Sequence, residues 1–139
     1  MIKRTALDAV FSDLIRESWD WTCARCGREC PDRKGRDFHC SHFISRAFNS
    51  TRWFPDNALC LCAACHDLVG KDPGEHYSLL MRILGPVRYD ELKERKHRIV
   101  RYREAEKKAM TRHYRGQIEH LLGLRADGVT GFIDVMAWD

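Results

Sequence analysis

Apolar residues recur at helical spacing near the start of the chain. Leu7, Val10, Phe11, Leu14 and Ile15 fall on one stripe, which predicts an amphipathic helix over about residues 4–19. Residues 38–44 suit a short strand, and residues 45–56 read as irregular. Residues 57–61 suit a second short strand or a turn. Residues 62–69 read as the start of a helix stopped near Gly70 and Pro73. A further helix over about residues 75–84 should end at Gly85-Pro86, a stop signal. From residue 89 to about 122 the chain reads as one long helix. Its apolar stripe is thin, supplied by Leu92, Ile99, Tyr102, Ala109 and Met110. Residues 123–139 read as a short tail carrying Phe132, Ile133, Val135, Met136 and Trp138.

The chain has 139 residues, 44% of them hydrophobic. That length implies one domain. Along it run an N-terminal helix (1–20), a metal-bound core (21–72), helices (73–122) and the tail (123–139). No apolar run is long enough to span a bilayer. The start, Met1-Ile2-Lys3-Arg4, lacks the apolar stretch of a secretory signal. A cytoplasmic location is therefore expected. The net charge of +4 fits nucleic acid without demanding it. Most of the excess lies in the long helix: Arg88, Lys93, Arg95, Lys96, Arg98, Arg101, Arg103, Lys107, Lys108, Arg112 and Arg115 outnumber its acids. Such a helix reads equally as a solvated face or as a DNA-backbone contact.

Seven cysteines in a reducing compartment argue for metal ligation over disulfides, and the odd count agrees. Two pairs have the two-residue spacing that lets a tight turn present both sulfurs to one tetrahedral ion. They are Cys23-Ala24-Arg25-Cys26 and Cys62-Ala63-Ala64-Cys65. Together Cys23, Cys26, Cys62 and Cys65 would hold one structural Zn²⁺. Four thiolates leave no open position for water, so this ion is expected to staple the fold and not to catalyse. Cys30, Cys40 and Cys60 are spare and read as buried free thiols. Between the pairs lie His42 and Asn57, and His66 follows the second pair directly. The zinc would draw these polar residues together.

The order thiol pair, His, Asn, thiol pair plus polar residue resembles the HNH endonuclease superfamily. The stretches His39-Cys-Ser-His-Phe-Ile-Ser-Arg46, Thr51-Arg-Trp-Phe-Pro-Asp-Asn57 and Leu61-Cys-Ala-Ala-Cys-His66 look closer still to phage recombination proteins of the NinG/Rap family. Tyr77-Ser-Leu-Leu-Met-Arg-Ile-Leu-Gly85 looks like that family's helix after the site. Phage endonuclease VII is similar in its two thiol pairs around a catalytic His. The resemblance covers roughly residues 19–95. It implies an α+β fold: a small, zinc-stabilised ββα-metal core with flanking helices, here including a long basic C-terminal one. It further implies a metal-dependent endonuclease acting on branched DNA during phage recombination, leaving a 5′ phosphate.

By that resemblance His42 is the general base, a role suited to a ring that titrates near neutrality. Asn57 would position His42 or hold the loop around it, and His66 would ligate a catalytic Mg²⁺ or Mn²⁺. The chain departs from the pattern just before the base. A second metal ligand is expected there, and the residue is Ser41. Positions 39 and 41 share a face of a strand, so His39 is a candidate substitute, with Asp37 more distant. Arg46 and Arg52 suit phosphate clamping. Against this stand blander readings: His66 as a hydrogen-bond donor to a thiolate, Trp53 and Phe54 as core, and His76, His97, His113 and His120 as ordinary helix residues. Two other functions compete, a non-catalytic zinc-bearing DNA-binding module and a zinc-stapled protein-interaction domain. Cleaving a four-way junction symmetrically takes two active sites, which implies a homodimer on functional grounds alone.

Overall fold

The computed structural model describes residues 2–138. Its first helix, α1 (Ala6–Ser18), starts where Thr5 caps it. The Asp8 amide donates to Thr5 Oγ1, and the Thr5 amide donates back to the Asp8 carboxylate at 2.7 Å, so two end groups of the helix are satisfied reciprocally. Its apolar stripe, Leu7, Phe11, Leu14 and Ile15, is buried.

Strands β1 (Phe38–His42) and β2 (Ala58–Cys62) pair antiparallel, with Phe38 opposite Cys62 and His42 opposite Ala58. The connection between them was expected to be irregular. It holds a one-turn helix, α2 (Asn49–Arg52), and a 3₁₀ turn over Pro55–Asn57. Helix α3 (Ala63–Lys71) begins at the last residue of β2, so Cys62 ends the strand and caps the helix. The unit is thus strand, strand, helix, with α3 following β2 directly.

One helix stop falls where the sequence placed it, and one break was not expected. Helix α4 (Pro73–Lys96) is interrupted at Gly85, where the sequence placed a stop, and a second helical run begins at Pro86. Gly85 adopts φ 78°, ψ 168°, a positive-φ conformation that glycine adopts without steric cost. The chain then breaks before α5 (Glu104–Ala126), so the long basic helix is two helices. The cause is tertiary. The end of α4 is tied to α2, with Arg95 Nε donating to the Ser50 carbonyl at 2.7 Å and Ser50 Oγ donating to the Lys96 carbonyl at 3.1 Å. After the break, α5 turns back along α1 and buries Met110, Tyr114 and Leu121. Ile99, counted from sequence in the apolar stripe, lies in the break and is fully exposed.

The tail folds back rather than hanging free. The Ile133 amide donates to the Ser18 carbonyl, the Trp138 amide donates to Tyr114 Oη, and the Phe132 ring lies 4.4 Å from that of Trp19. The described residues thus form five α-helices and one two-stranded antiparallel sheet, an α+β arrangement. Among them no helix is long and apolar enough to cross a membrane.

Candidate functional site

The two thiol pairs meet. The sulfurs of Cys23, Cys26, Cys62 and Cys65 all lie within 4.8 Å of one another. Cys26 Sγ and Cys62 Sγ are 3.8 Å apart, and a tetrahedral ion with metal–sulfur bonds of about 2.3 Å has an edge of about 3.8 Å. The four sulfurs are therefore placed to hold a structural metal such as zinc. The first pair sits in a turn closed by the Gly27 amide on the Cys23 carbonyl, with Gly27 at φ 77°. The second pair bridges the end of β2 and the first turn of α3. Burial pushes the Cys23 thiol up, but amides of Cys26, Cys62 and Arg25 aimed at it outweigh burial and bring it down to about 7. Arg25 adds a cation at the rim, its guanidinium 3.6 Å from Cys65 Sγ and 3.2 Å from Glu75. Four thiolates around a dication carry net negative charge, so a cation there is favourable. Among the spare cysteines, Cys30 and Cys60 are buried and Cys40 is partly so.

His42 ends β1. Its Nε2 lies 2.9 Å from the Arg52 carbonyl oxygen, which only accepts. Nε2 therefore carries the proton, and in the neutral ring Nδ1 keeps the lone pair. The ring packs on Phe11 at 5.9 Å. Burial pulls its pKa below the ordinary 6.5; the Arg52 carbonyl raises it in part, while the charges of Arg46 and Arg52 lower it further.

What fixes the Arg52 carbonyl is a hub on α1. Asp8 accepts from Arg52 Nε at 2.9 Å, Arg52 Nη2 at 2.6 Å and Trp53 Nε1 at 2.9 Å, besides its bonds to Thr5. Arg52 also donates to the Lys3 carbonyl. Its guanidinium is thus buried and committed, which corrects the expectation that it clamps phosphate. It serves as a loop anchor that aims its own carbonyl at His42. Asn57 is fully buried and also holds this loop. Its Oδ1 accepts from the Ile44 amide at 2.7 Å, and its Nδ2 donates to the carbonyls of Ile44 and Thr51 at 3.0 Å each. Of the two parts expected for Asn57, this geometry is that of the loop holder, its side-chain hydrogen bonds going to Ile44 and Thr51.

His39 and His66 meet with their Nδ1 atoms 2.7 Å apart, and His39 Nε2 lies 2.8 Å from the Arg36 carbonyl. The carbonyl requires the proton on His39 Nε2. With both rings neutral, His39 Nδ1 then accepts from His66 Nδ1, and the Nε2 lone pair of His66 is left for a metal. Both nitrogens of His39 are occupied in this chain of bonds, a geometry in which His39 orients His66.

His42 and His66 form the wall between two clefts. The larger, of about 630 Å³, is also lined by Arg4, Asp8, Ser12, Arg16, His39 and Arg46. Its carboxylate, Asp8, is committed to Arg52, and Arg16 is paired with Asp13. Among the described residues Arg4 and Arg46 enter no ion pair, so the cleft is cationic and suited to an anion. Arg4, Asp8, Ser12 and Arg16 were missed as site residues. Their signal was present: they recur every four residues, a polar stripe that starts just before α1 and runs along it beside the apolar one. The second cleft, of about 380 Å³, is lined by Ser41, Phe43, Pro73 and His76 together with His42 and His66. The basic residues beyond α4 do not line either cleft; Lys108, Arg112 and Arg115 share a face of α5 that looks outward.

No family model matches the chain, and searches of curated proteins and of solved structures return no match. Its chemistry must therefore be read from this arrangement.

Proposed function

We propose that the chain is a metal-dependent DNA endonuclease of the HNH type, hydrolysing phosphodiester bonds in branched DNA. The observation that carries the proposal is the fixed tautomer of His42. A half-buried neutral imidazole has its proton held by a backbone carbonyl and its ring on the wall of a cationic cleft. That is an arrangement suited to a general base beside a phosphate. In this reading His42 Nδ1 takes the proton of the attacking water. Arg46 and Arg4 balance the charge of the phosphate and hold it near the base. His66, aimed by His39, would ligate a divalent ion, whose chemistry when bound is to stabilise negative charge on the departing 3′ oxygen. The four-thiol cluster holds the hairpin and α3 in place for these groups.

A non-catalytic DNA-binding module is the second reading. It is favoured by one fact: among the described residues the four thiols are the one group of three or more metal donors already assembled. Incubating the protein with linear duplex, flapped and four-way-junction DNA, with Mg²⁺ or Mn²⁺ and with EDTA, separates the two. The nuclease reading expects metal-dependent nicking with 5′-phosphate ends, strongest on branched DNA. Binding in EDTA with no cleavage in any metal supports the module instead.

A further inference from the structure

His76 stands in the first turns of α4, and its Nε2 is buried with no hydrogen-bond partner. A polar atom left so costs free energy unless something outside the chain meets it. The ring is held edge-on by Phe43, at 5.0 Å between centroids. It lines the smaller cleft, which Ser41, His42 and His66 also line. Three imidazoles therefore converge from three elements: the end of β1, the first turns of α3 and the start of α4. Among the described residues no carboxylate lines this cleft. His66 is the one of the three whose other nitrogen is fixed by a second histidine, His39. His42 has its own task, with Nε2 bound to the Arg52 carbonyl. His66 and His76 remain.

Resting on the nuclease reading above, we infer that His76 is the second protein ligand of the catalytic ion, sharing it with His66 and supplying the donor that Ser41 lacks. Among the described residues the three imidazoles do not form a gathered set of three donors as the four thiols do, so the site would rest on the pair His66 and His76. Both rings line the same cleft, of about 380 Å³. Burial and the neighbouring His66 both favour the neutral form of His76, which is the form that ligates.

The donor set also selects the ion. Mg²⁺ binds through oxygens and keeps its waters, whereas imidazole suits the later first-row ions. A site built from two imidazoles should take Co²⁺, Ni²⁺ or Zn²⁺ more tightly than Mn²⁺, and Mg²⁺ least of all.

The test is calorimetric titration of the zinc-loaded full-length protein with Ni²⁺, read alongside zinc content and thermal melting. Wild type should take one Ni²⁺ beyond the thiolate ion. Losing an outer-shell partner of a metal site typically weakens binding by about 10–100-fold, and that is the range expected for His39→Ala. Losing a ligand should do more, so His76→Ala is expected to weaken Ni²⁺ by more than about 100-fold, with zinc content unchanged. Should His76→Ala melt early, His76→Phe keeps a ring against Phe43 and repeats the test without a donor. Wild-type Ni²⁺ affinity in a folded His76 variant that still cleaves DNA overturns the inference and leaves the nuclease reading standing. A wild type that binds no second ion and cleaves nothing overturns both.

Discussion

With its Nε2 proton held by the Arg52 carbonyl, His42 has Nδ1 as its basic atom, and burial keeps it neutral further into acid than a free histidine. A base must be neutral to act. The rate of cleavage should therefore rise with pH through a pKa below 6.5 and be level from there to neutrality, which a pH–rate profile under single-turnover conditions would show. Asp8 sits one step behind. Burial pushes its carboxyl up, but hydrogen bonds from Arg52 and Thr5 and the Arg52 charge outweigh that and lower it to about 2. Since the folded pKa lies below the unfolded one, the group stabilises the fold above about pH 4, by about 2 kcal/mol, and loses that as pH falls toward about 2. Asp8→Asn leaves Arg52 buried without its anion and should cost about 3–5 kcal/mol at about pH 7. In urea titrations the gap to wild type should shrink as pH falls toward about 2. The four thiols could be picked out of the sequence because the spacing within each pair is local, whereas His42 and His66 were picked out by resemblance. The parts played by Arg52 and His39 could not, because each is set by a partner far away or by a backbone carbonyl that no side-chain pattern reports: Asp8 for the first, the Arg36 carbonyl and His66 for the second.

At the scale of elements, α1 was legible because its stripe is long and regular, and the strands because the polar loops around them are distinct. Helices α4 and α5 were read as one past residue 89, since composition alone favours helix throughout. The break is imposed by the Arg95–Ser50 anchor and by the apolar face that α5 lays on α1, both long-range. The division matters for DNA contact. The basic residues do not form one rod; Lys108, Arg112 and Arg115 make a separate patch on α5. If that patch follows the DNA backbone, replacing all three with Gln should reduce the slope of log affinity against log salt by about 2–3, as each phosphate contact contributes about 0.9. Cleavage per bound complex should stay near wild type. An unchanged slope places the contact elsewhere, with Arg4 and Arg46 in the cleft as the remaining candidates.

For the molecule as a whole, the four-thiol cluster joins the turn after α1 to the end of the hairpin and the start of α3. A metal held by four thiolates contributes folding free energy directly. Cys26 is the exposed member of the set, so its side chain does little packing. Cys26→Ser should nonetheless lower zinc content to well under one per chain and lower the melting temperature sharply, measurable by mass spectrometry and circular dichroism. A zinc-free variant that melts like wild type would mean the thiols are only packing. Whether this scaffold presents His42 as a general base to a phosphodiester is decided by single-turnover cleavage of an end-labelled four-way junction by wild type and His42→Ala. The rate is expected to be lower by about 10²–10⁴-fold in the variant, with zinc content, melting temperature and junction affinity unchanged and no rescue by excess Mn²⁺. Cleavage by His42→Ala at the wild-type rate would contradict that role.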